Sequence, residues 1–258
     1  MKTHFTAPYL LNPQHPVTVY LIGVGGTGSQ MLNNLARINS ALVALGHPGL
    51  HVTAWDDDVV TEANLGRQLF SSAELEMNKA VALVTRVNRF FGLQWEAKAE
   101  RFDLKKHNAQ ANIIITCVDA VDLRIDLDKS YKGGRNGRFG GDENNNYYWL
   151  DLGNTKDAGQ CVLASRYEIE QPKKIKDTIG KLPTIVDLFP NIKKLAKEDN
   201  TPSCSLAEAL SKQDLFINSI LAQYGSNIIW KLFRELKLDH HGVFINLKTL
   251  ATSPIKIQ

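Results

Sequence analysis

Val17-Thr-Val-Tyr-Leu-Ile22 runs straight into Gly23-Val-Gly25-Gly26-Thr-Gly28-Ser29, and this junction decides the fold. The first six residues are β-branched and apolar with no charge, the composition of a strand buried on both faces. The glycines end it abruptly. Ser29 to about Leu45 then carries Met31, Leu32, Leu35, Ile38 and Leu42 at helical spacing and closes at Gly46 and Pro48. A strand, a tight glycine turn and a helix satisfying GxGxxG predict a helix N-terminus whose free N–H groups attract negative charge.

Outward from that junction the pattern repeats. His51–Trp55 reads as a second strand ending in Asp56-Asp57-Asp58, Asn78–Phe91 as a second helix, and Asn112–Cys117 as a third buried strand. A fourth strand is predicted at Tyr147–Leu152. Strands alternating with helices at this pace predict an α/β, Rossmann-like, doubly wound and mainly parallel sheet. Residues 132–146 are rich in Gly and Asn and predict a loop, while 166–203 carry many lysines and four prolines and predict a long irregular crossover. Ser205–Arg234 returns to helical periodicity, with Gln213, Asp214 and Asn218 expected on one side of that helix. Gly242–Leu250 and Pro254–Ile257 read as C-terminal antiparallel strands. The chain is taken as one domain, 1–258, with a nucleotide-binding half at 17–130 and a partner-binding, crossover half at 131–258.

Bulk composition narrows the function classes. The 258 residues are 43% hydrophobic and 22% charged, with a net charge of +3, so a core of ordinary size forms and no nucleic-acid partner is required. No apolar run approaches the roughly 18 residues of a membrane span. The proline-broken first sixteen residues do not read as a signal peptide, and the expected compartment is the cytoplasm. The three cysteines, Cys117, Cys161 and Cys204, lie far apart with no CxxC, so neither a disulfide framework nor zinc is expected. Cys117 and Cys161 read as strand packing, and His240-His241 as structural.

GxGxxG alone fits NAD, FAD, ATP or a mere turn. The segment after the second strand discriminates among them. A ribose contact uses one carboxylate, Asp56, and leaves Asn64, Arg67 and Lys79 without a task in a dinucleotide site. An amide and two cations suit a triphosphate and the charge that builds on phosphoryl oxygens. Asp119, at the carboxyl end of the third strand, stands where open α/β sheets bind ligands, and a carboxylate there suits Mg²⁺.

The ordered set GVGGTGS, DxDxVxxxNLxRQ, Lys79 twelve residues after Arg67, and CVDxxxxR resembles the ThiF/MoeB/ubiquitin-activating (E1-like) superfamily across about residues 17–130. The whole chain is similar to the ThiF-related family of bacterial PRTRC cassettes. That resemblance implies ATP-dependent adenylation of the C-terminal carboxylate of a ubiquitin-like or sulfur-carrier-like protein ending in Gly. It also implies a homodimer and no membrane. Within it, Gly23, Gly25, Gly26 and Gly28 form the nucleotide turn and Asp56 holds the ribose. Asn64, Arg67 and Lys79 meet the phosphates, with Asp58 and Gln68 of the same string counted in the site. Asp119 binds Mg²⁺ and Arg124 supports the site. Arg67, Lys79 and Asp119, with Cys204, are the catalytic set.

Cys204, in the crossover just before the predicted helix at 205, matches where thioester-forming members carry their cysteine. A helix N-terminus with lysines nearby lowers a thiol pKa. It is the expected acyl acceptor, with an E2-like protein as a further acceptor. The chain departs from the family pattern in three places. Ala120 replaces the Asn that often follows the metal-binding Asp, the first sixteen residues hold no arginine, and the paired CxxC zinc site is missing. A nicotinamide- or flavin-dependent oxidoreductase and a non-catalytic nucleotide-binding scaffold are the alternatives.

Overall fold

A computed structural model describes residues 2–107, 109–133, 145–192 and 213–258. Its elements in chain order are β1 (His4–Phe5), α1 (Pro8–Leu11), β2 (Val17–Ile22), α2 (Gly26–Ala44), β3 (Leu50–Trp55), α3 (Lys79–Phe91), β4 (Glu96–Lys98) and β5 (Ile113–Thr116). After these come α4 (Val121–Gly133), β6 (Tyr148–Asn154), β7 (Ala158–Ser165), α5 (Ile185–Leu188), α6 (Ile217–Arg234), β8 (Lys237–Leu238), β9 (His240–Asn246) and β10 (Ala251–Lys256).

Among the described residues the main sheet has eight strands in the order β10-β9-β7-β6-β5-β2-β3-β4. From β6 through β4 every pairing is parallel, and from β6 out to β10 every pairing is antiparallel. The expected α/β doubly wound sheet with antiparallel C-terminal strands is thus observed. Strand parity sorts the core into two layers. Ile113 and Ile115 of β5 with Tyr148, Leu150 and Leu152 of β6 face α2, α3 and α6, while Ile114 and Trp149 face the side covered by α4 and α5. Every residue of β5 is buried, as its unbroken apolar run requires.

Several boundaries move for local reasons. Helix α2 starts at Gly26, three residues before the expected Ser29, since glycines are tolerated in the first turn. Helix α4 continues through Gly133, two residues into the segment expected as a loop at 132–146, of which 134–144 lie outside the described residues. The crossover at 166–192 is tied down by backbone bonds from Ile169 to Gly180 and from Ile179 to Thr3, and it contains the single turn α5. Helix α6 begins only at Ile217. Asp214 accepts the Phe216 N–H at 2.8 Å, and this turn stands in place of the expected helix at 213–216, while 205–212 lie outside the described residues. Gln213 and Asp214 therefore do not share a helix face with Asn218. No described helix is long and apolar enough to cross a membrane.

Candidate active site

In an open α/β sheet, loops diverge where consecutive strands lie on opposite sides of a common neighbour, leaving a crevice at their carboxyl ends. Here that point is β2, with β3 on one side and β5 on the other. A cavity of about 610 Å³ opens there. Gly23, at φ 85°, turns the chain out of β2, and α2 begins with no side-chain cap, leaving its first N–H groups to face whatever occupies the cavity. Gly28 does not line the cavity. It lets the helix cross the turn, because a Cβ there would fall 1.9 Å from the Gly23 carbonyl oxygen.

The second strand of the motif, β3, delivers Asp56 to the glycine turn. Its Oδ2 accepts the Val24 N–H at 2.7 Å and its Oδ1 the Asp58 N–H at 3.0 Å. Burial raises the Asp56 pKa, opposed by these two backbone bonds and by nearby Lys79. The carboxylates of Asp56, Asp57 and Asp58 lie within 4.8 Å of one another, and Asp57 is exposed as expected. Lys79 opens α3, and its Nζ donates to Asp58 Oδ2 at 2.8 Å. The Lys79 side chain is 8% exposed against 66% for Asp58, so the pair is a buried cation held by an exposed acid. Asn78, which the sequence pattern did not single out, caps α3 and donates to the carbonyls of both Asp56 and Asp58.

The loop between them brings Arg67 and Gln68 to the cavity but not Asn64. Asn64 is buried in a 3-10 turn, where its Oδ1 accepts the Thr61 N–H at 2.9 Å as half of a capping box. Arg67 is half-buried. Its Nη1 donates to Gln213 Oε1, its Nε has no partner, and burial lowers its pKa while nearby Asp119 opposes the shift. Gln68 is buried with its Oε1 unpartnered. Two buried polar atoms without partners in one cavity are what a polar ligand would satisfy.

Asp119 lies exposed on the turn from β5 to α4 and lines the cavity. Arg124, on α4, is buried and does not line the cavity. Its Nε donates to the buried Asp151 Oδ1 at 2.7 Å, and Thr116 Oγ1 donates to the same oxygen at 2.7 Å. Cys117 packs against the core as expected and also lines the cavity. Burial, with the Asp151 charge, pushes its thiol pKa well up, which disfavours the thiolate. Cys161 is buried in β7 as expected, and His241 is buried with Nδ1 bonded to the Leu163 carbonyl. Cys204 lies outside the described residues, as do Lys193, Lys194 and Lys197 of the lysine-rich crossover.

Sequence patterns miss a whole wall of the cavity. Arg101, Phe102 and Lys106 arrive from the segment after the edge strand β4, and Asp122 and Asp126 project from α4. Only the aspartates had a signal, since Asp119, Asp122 and Asp126 follow one helical face. In all, seven carboxylates and four cationic side chains line the cavity. A polyphosphate carries several negative charges and meets a lining that is already net negative, so its binding calls for a cation shared with the acids. That donor set, all oxygen, fits Mg²⁺.

The fold and this site define an open α/β sheet with a polar crevice at the carboxyl ends of its parallel strands. Comparison with known proteins is specific on that point: residues 15–133 match the ThiF family. No curated protein matches the chain by sequence. Among solved structures, PaaA is 13% identical with a TM-score of 0.59, the match covering 93% of this chain and 64% of PaaA. E. coli MccB with ATP is 16% identical with a TM-score of 0.60, covering 96% of this chain and 64% of MccB. The microcin C7 biosynthetic enzyme MccB in complex with N-formylated MccA is 15% identical with a TM-score of 0.58, covering 93% and 64%. The chain therefore spans less than two thirds of the structures it resembles, and at these identities the likeness is one of fold.

Proposed function

We propose that the chain is a member of the ThiF/MoeB/ubiquitin-activating superfamily, in its PRTRC-cassette branch. In this reading, residues 1–258 form one E1-like domain that uses ATP to adenylate the C-terminal carboxylate of a small protein or peptide. One observation carries it: the uncapped start of α2, Asp56, Arg67, Gln68, Lys79 and Asp119 come from separate stretches of chain to one cavity, with two buried polar atoms there still unpartnered. MccB, of the same fold, has been seen with ATP and with MccA, which supports a nucleotide and a polypeptide carboxylate as the two substrates.

In this reading the α2 N-terminus and Gly23–Gly26 cradle phosphate, Asp56 takes the ribose, and Arg67, Lys79 and Gln68 meet phosphate oxygens. A carboxylate oxygen of the partner attacks the α-phosphorus. The bond from that phosphorus to the oxygen bridging the β-phosphate breaks, giving an acyl-adenylate and pyrophosphate. Arg67 and Lys79 offset the charge developing on the phosphoryl oxygens. Asp119 would hold Mg²⁺, which when bound supplies the positive charge the lining lacks. Asn64 acts by shaping the loop that carries Arg67. A thioester step belongs to the same proposal: the Cys204 thiolate would attack the acyl carbonyl and AMP would leave, before transfer to an E2-like acceptor. A homodimer in the cytoplasm completes the reading.

The test is ATP–pyrophosphate exchange with small Gly-ending proteins as partners. Exchange that depends on both partner and Mg²⁺ supports adenylation, and tight binding of NAD with none of ATP overturns it in favour of an oxidoreductase. ATP binding that survives Arg67→Ala and Asp119→Ala, with no exchange from any partner, points to the scaffold reading. The thioester half is separate: a thiol-sensitive conjugate that persists in Cys204→Ala removes that step and leaves adenylation intact.

A further inference from the structure

Arg67 is a cation placed near Asp119, yet it does not bond to it. Its Nη1 is taken by a neutral amide, Gln213 Oε1, 146 residues away in sequence. The same Oε1 accepts Asn218 Nδ2 at 3.0 Å, and Asn218 Oδ1 accepts Thr27 Oγ1 at 2.9 Å. The chain of bonds runs Thr27, Asn218, Gln213, Arg67, linking the first turn of α2 to the loop that carries Arg67. Its members are packed hard: a Cβ on Gly26 would lie 2.6 Å from Asn218 Cγ. Gln213, Asn218, Thr27 and Arg67 all line the cavity.

We propose that Gln213, oriented by Asn218, is a positioning residue that holds the Arg67 guanidinium over the cavity, near Asp119 but not bonded to it, so that its charge is left for a ligand. The inference rests on the reading of the cavity as an ATP site. A carboxylate in the place of Gln213 would bind Arg67 more tightly and neutralise it. An amide binds one N–H, fixes the plane of the fork, and leaves the full positive charge for phosphate. Left without Gln213, Arg67 is free to pair with Asp119, which cancels a cation and a metal-binding acid together. The neutral partner is therefore a chemical requirement and not only a packing one, and this is what separates positioning from mere structure.

Gln213→Glu and Gln213→Ala decide it, with ATP binding by calorimetry in Mg²⁺ buffer, thermal unfolding, and a double-mutant cycle with Arg67→Ala. Gln213→Glu should unfold at or above the wild-type temperature, because the bond becomes charge-assisted, and yet bind ATP about tenfold or more weakly. Gln213→Ala should lose affinity and also thermal stability, and the cycle should show Arg67 and Gln213 coupled. If Gln213→Glu binds ATP as wild type does, the charge argument fails although the ATP reading stands. If the cycle shows no coupling, the bond is not formed in solution and the proposal falls with it. If wild-type protein binds no ATP while the cycle shows coupling, the ATP reading has failed, and the role proposed for Gln213 with it.

Discussion

Replacing Arg124 by Met is the sharpest perturbation the structure offers, because the consequence rests on one buried carboxylate. Asp151 is 1% exposed. Its Oδ1 accepts from Arg124 Nε and Thr116 Oγ1, each at 2.7 Å, and its Oδ2 has no partner. Thr116 Oγ1 in turn accepts Trp149 Nε1 at 2.8 Å, so Thr116 has no second proton to give. Without Arg124 the carboxylate keeps one neutral hydrogen bond in an apolar setting. Breaking one side of such a pair costs about 3–5 kcal/mol. The same principle gives the control: Arg124→Met combined with Asp151→Leu removes both charges and should recover most of the loss. Urea unfolding between pH 5 and pH 8 is the assay. In Arg124→Met the uncovered carboxylate can take a proton on folding, so the folded state binds more protons than the unfolded one and the deficit shrinks as pH falls. A loss below about 1 kcal/mol, or one that does not change with pH, would show that Asp151 is satisfied by something other than Arg124.

Three further outcomes rest on single contacts. His4 donates from Nδ1 to the Ile179 carbonyl and accepts at Nε2 from Tyr148, whose oxygen also accepts the Ala7 N–H, and burial lowers its pKa from 6.5 to about 4. The unfolded chain protonates first as pH falls. Stability should therefore drop by roughly 3 kcal/mol between pH about 6.5 and 4, with buried His241 adding to the drop, and His4→Phe should flatten the profile measured by chemical unfolding. Gly28→Ala forces a methyl onto the Gly23 carbonyl and should cost about 3 kcal/mol or leave the chain insoluble, whereas Gly46→Ala meets no atom and should lose only the roughly 1–2 kcal/mol of placing a side chain at its left-handed φ of 83° in the same thermal melt. Lys79→Met should lower pyrophosphate exchange about 10²- to 10³-fold with a smaller change in melting temperature; equal activity would remove Lys79 from the phosphate site.

The features legible in the sequence are those that short-range chemistry encodes. The runs 17–22 and 113–116 are apolar enough to be strands in any α/β setting, and Gly23–Gly28 has few other uses after a strand. The strand β4 was missed because Glu96-Ala97-Lys98 lies at the exposed sheet edge and carries no apolar run. Asn64 has a local use that competes with a phosphate contact, since Thr61-Glu62-Ala63-Asn64 has the spacing of a capping box and the turn takes its side-chain oxygen. The helix expected over Ser205–Arg234 is interrupted at 213–216, where helical spacing persists in the sequence but Asp214 turns the chain, and 205–212 lie outside the described residues. The bond between Gln213 and Asn218 had no signal at all, since its task is set by Arg67 and Thr27, far away in the chain.

The charge of the cavity then explains why the local and distant parts must be read together. The local motif alone, with Arg67 and Lys79, describes a cationic phosphate site. Lys79 is held by Asp58, Arg67 stands beside Asp119, and Asp122 and Asp126 add two more carboxylates from α4. Both of these cations are thus close to an acid able to cancel them. A triphosphate binds such a lining only if the acids are engaged elsewhere, by a divalent cation at Asp119 and by the backbone N–H groups that hold Asp56. ATP affinity should accordingly collapse on chelation far more than salt screening alone would predict, and Asp119→Asn should blunt that dependence. Equal affinity for ATP with and without Mg²⁺ would mean that Arg101 and Lys106, on the wall the sequence did not reveal, supply the missing charge instead.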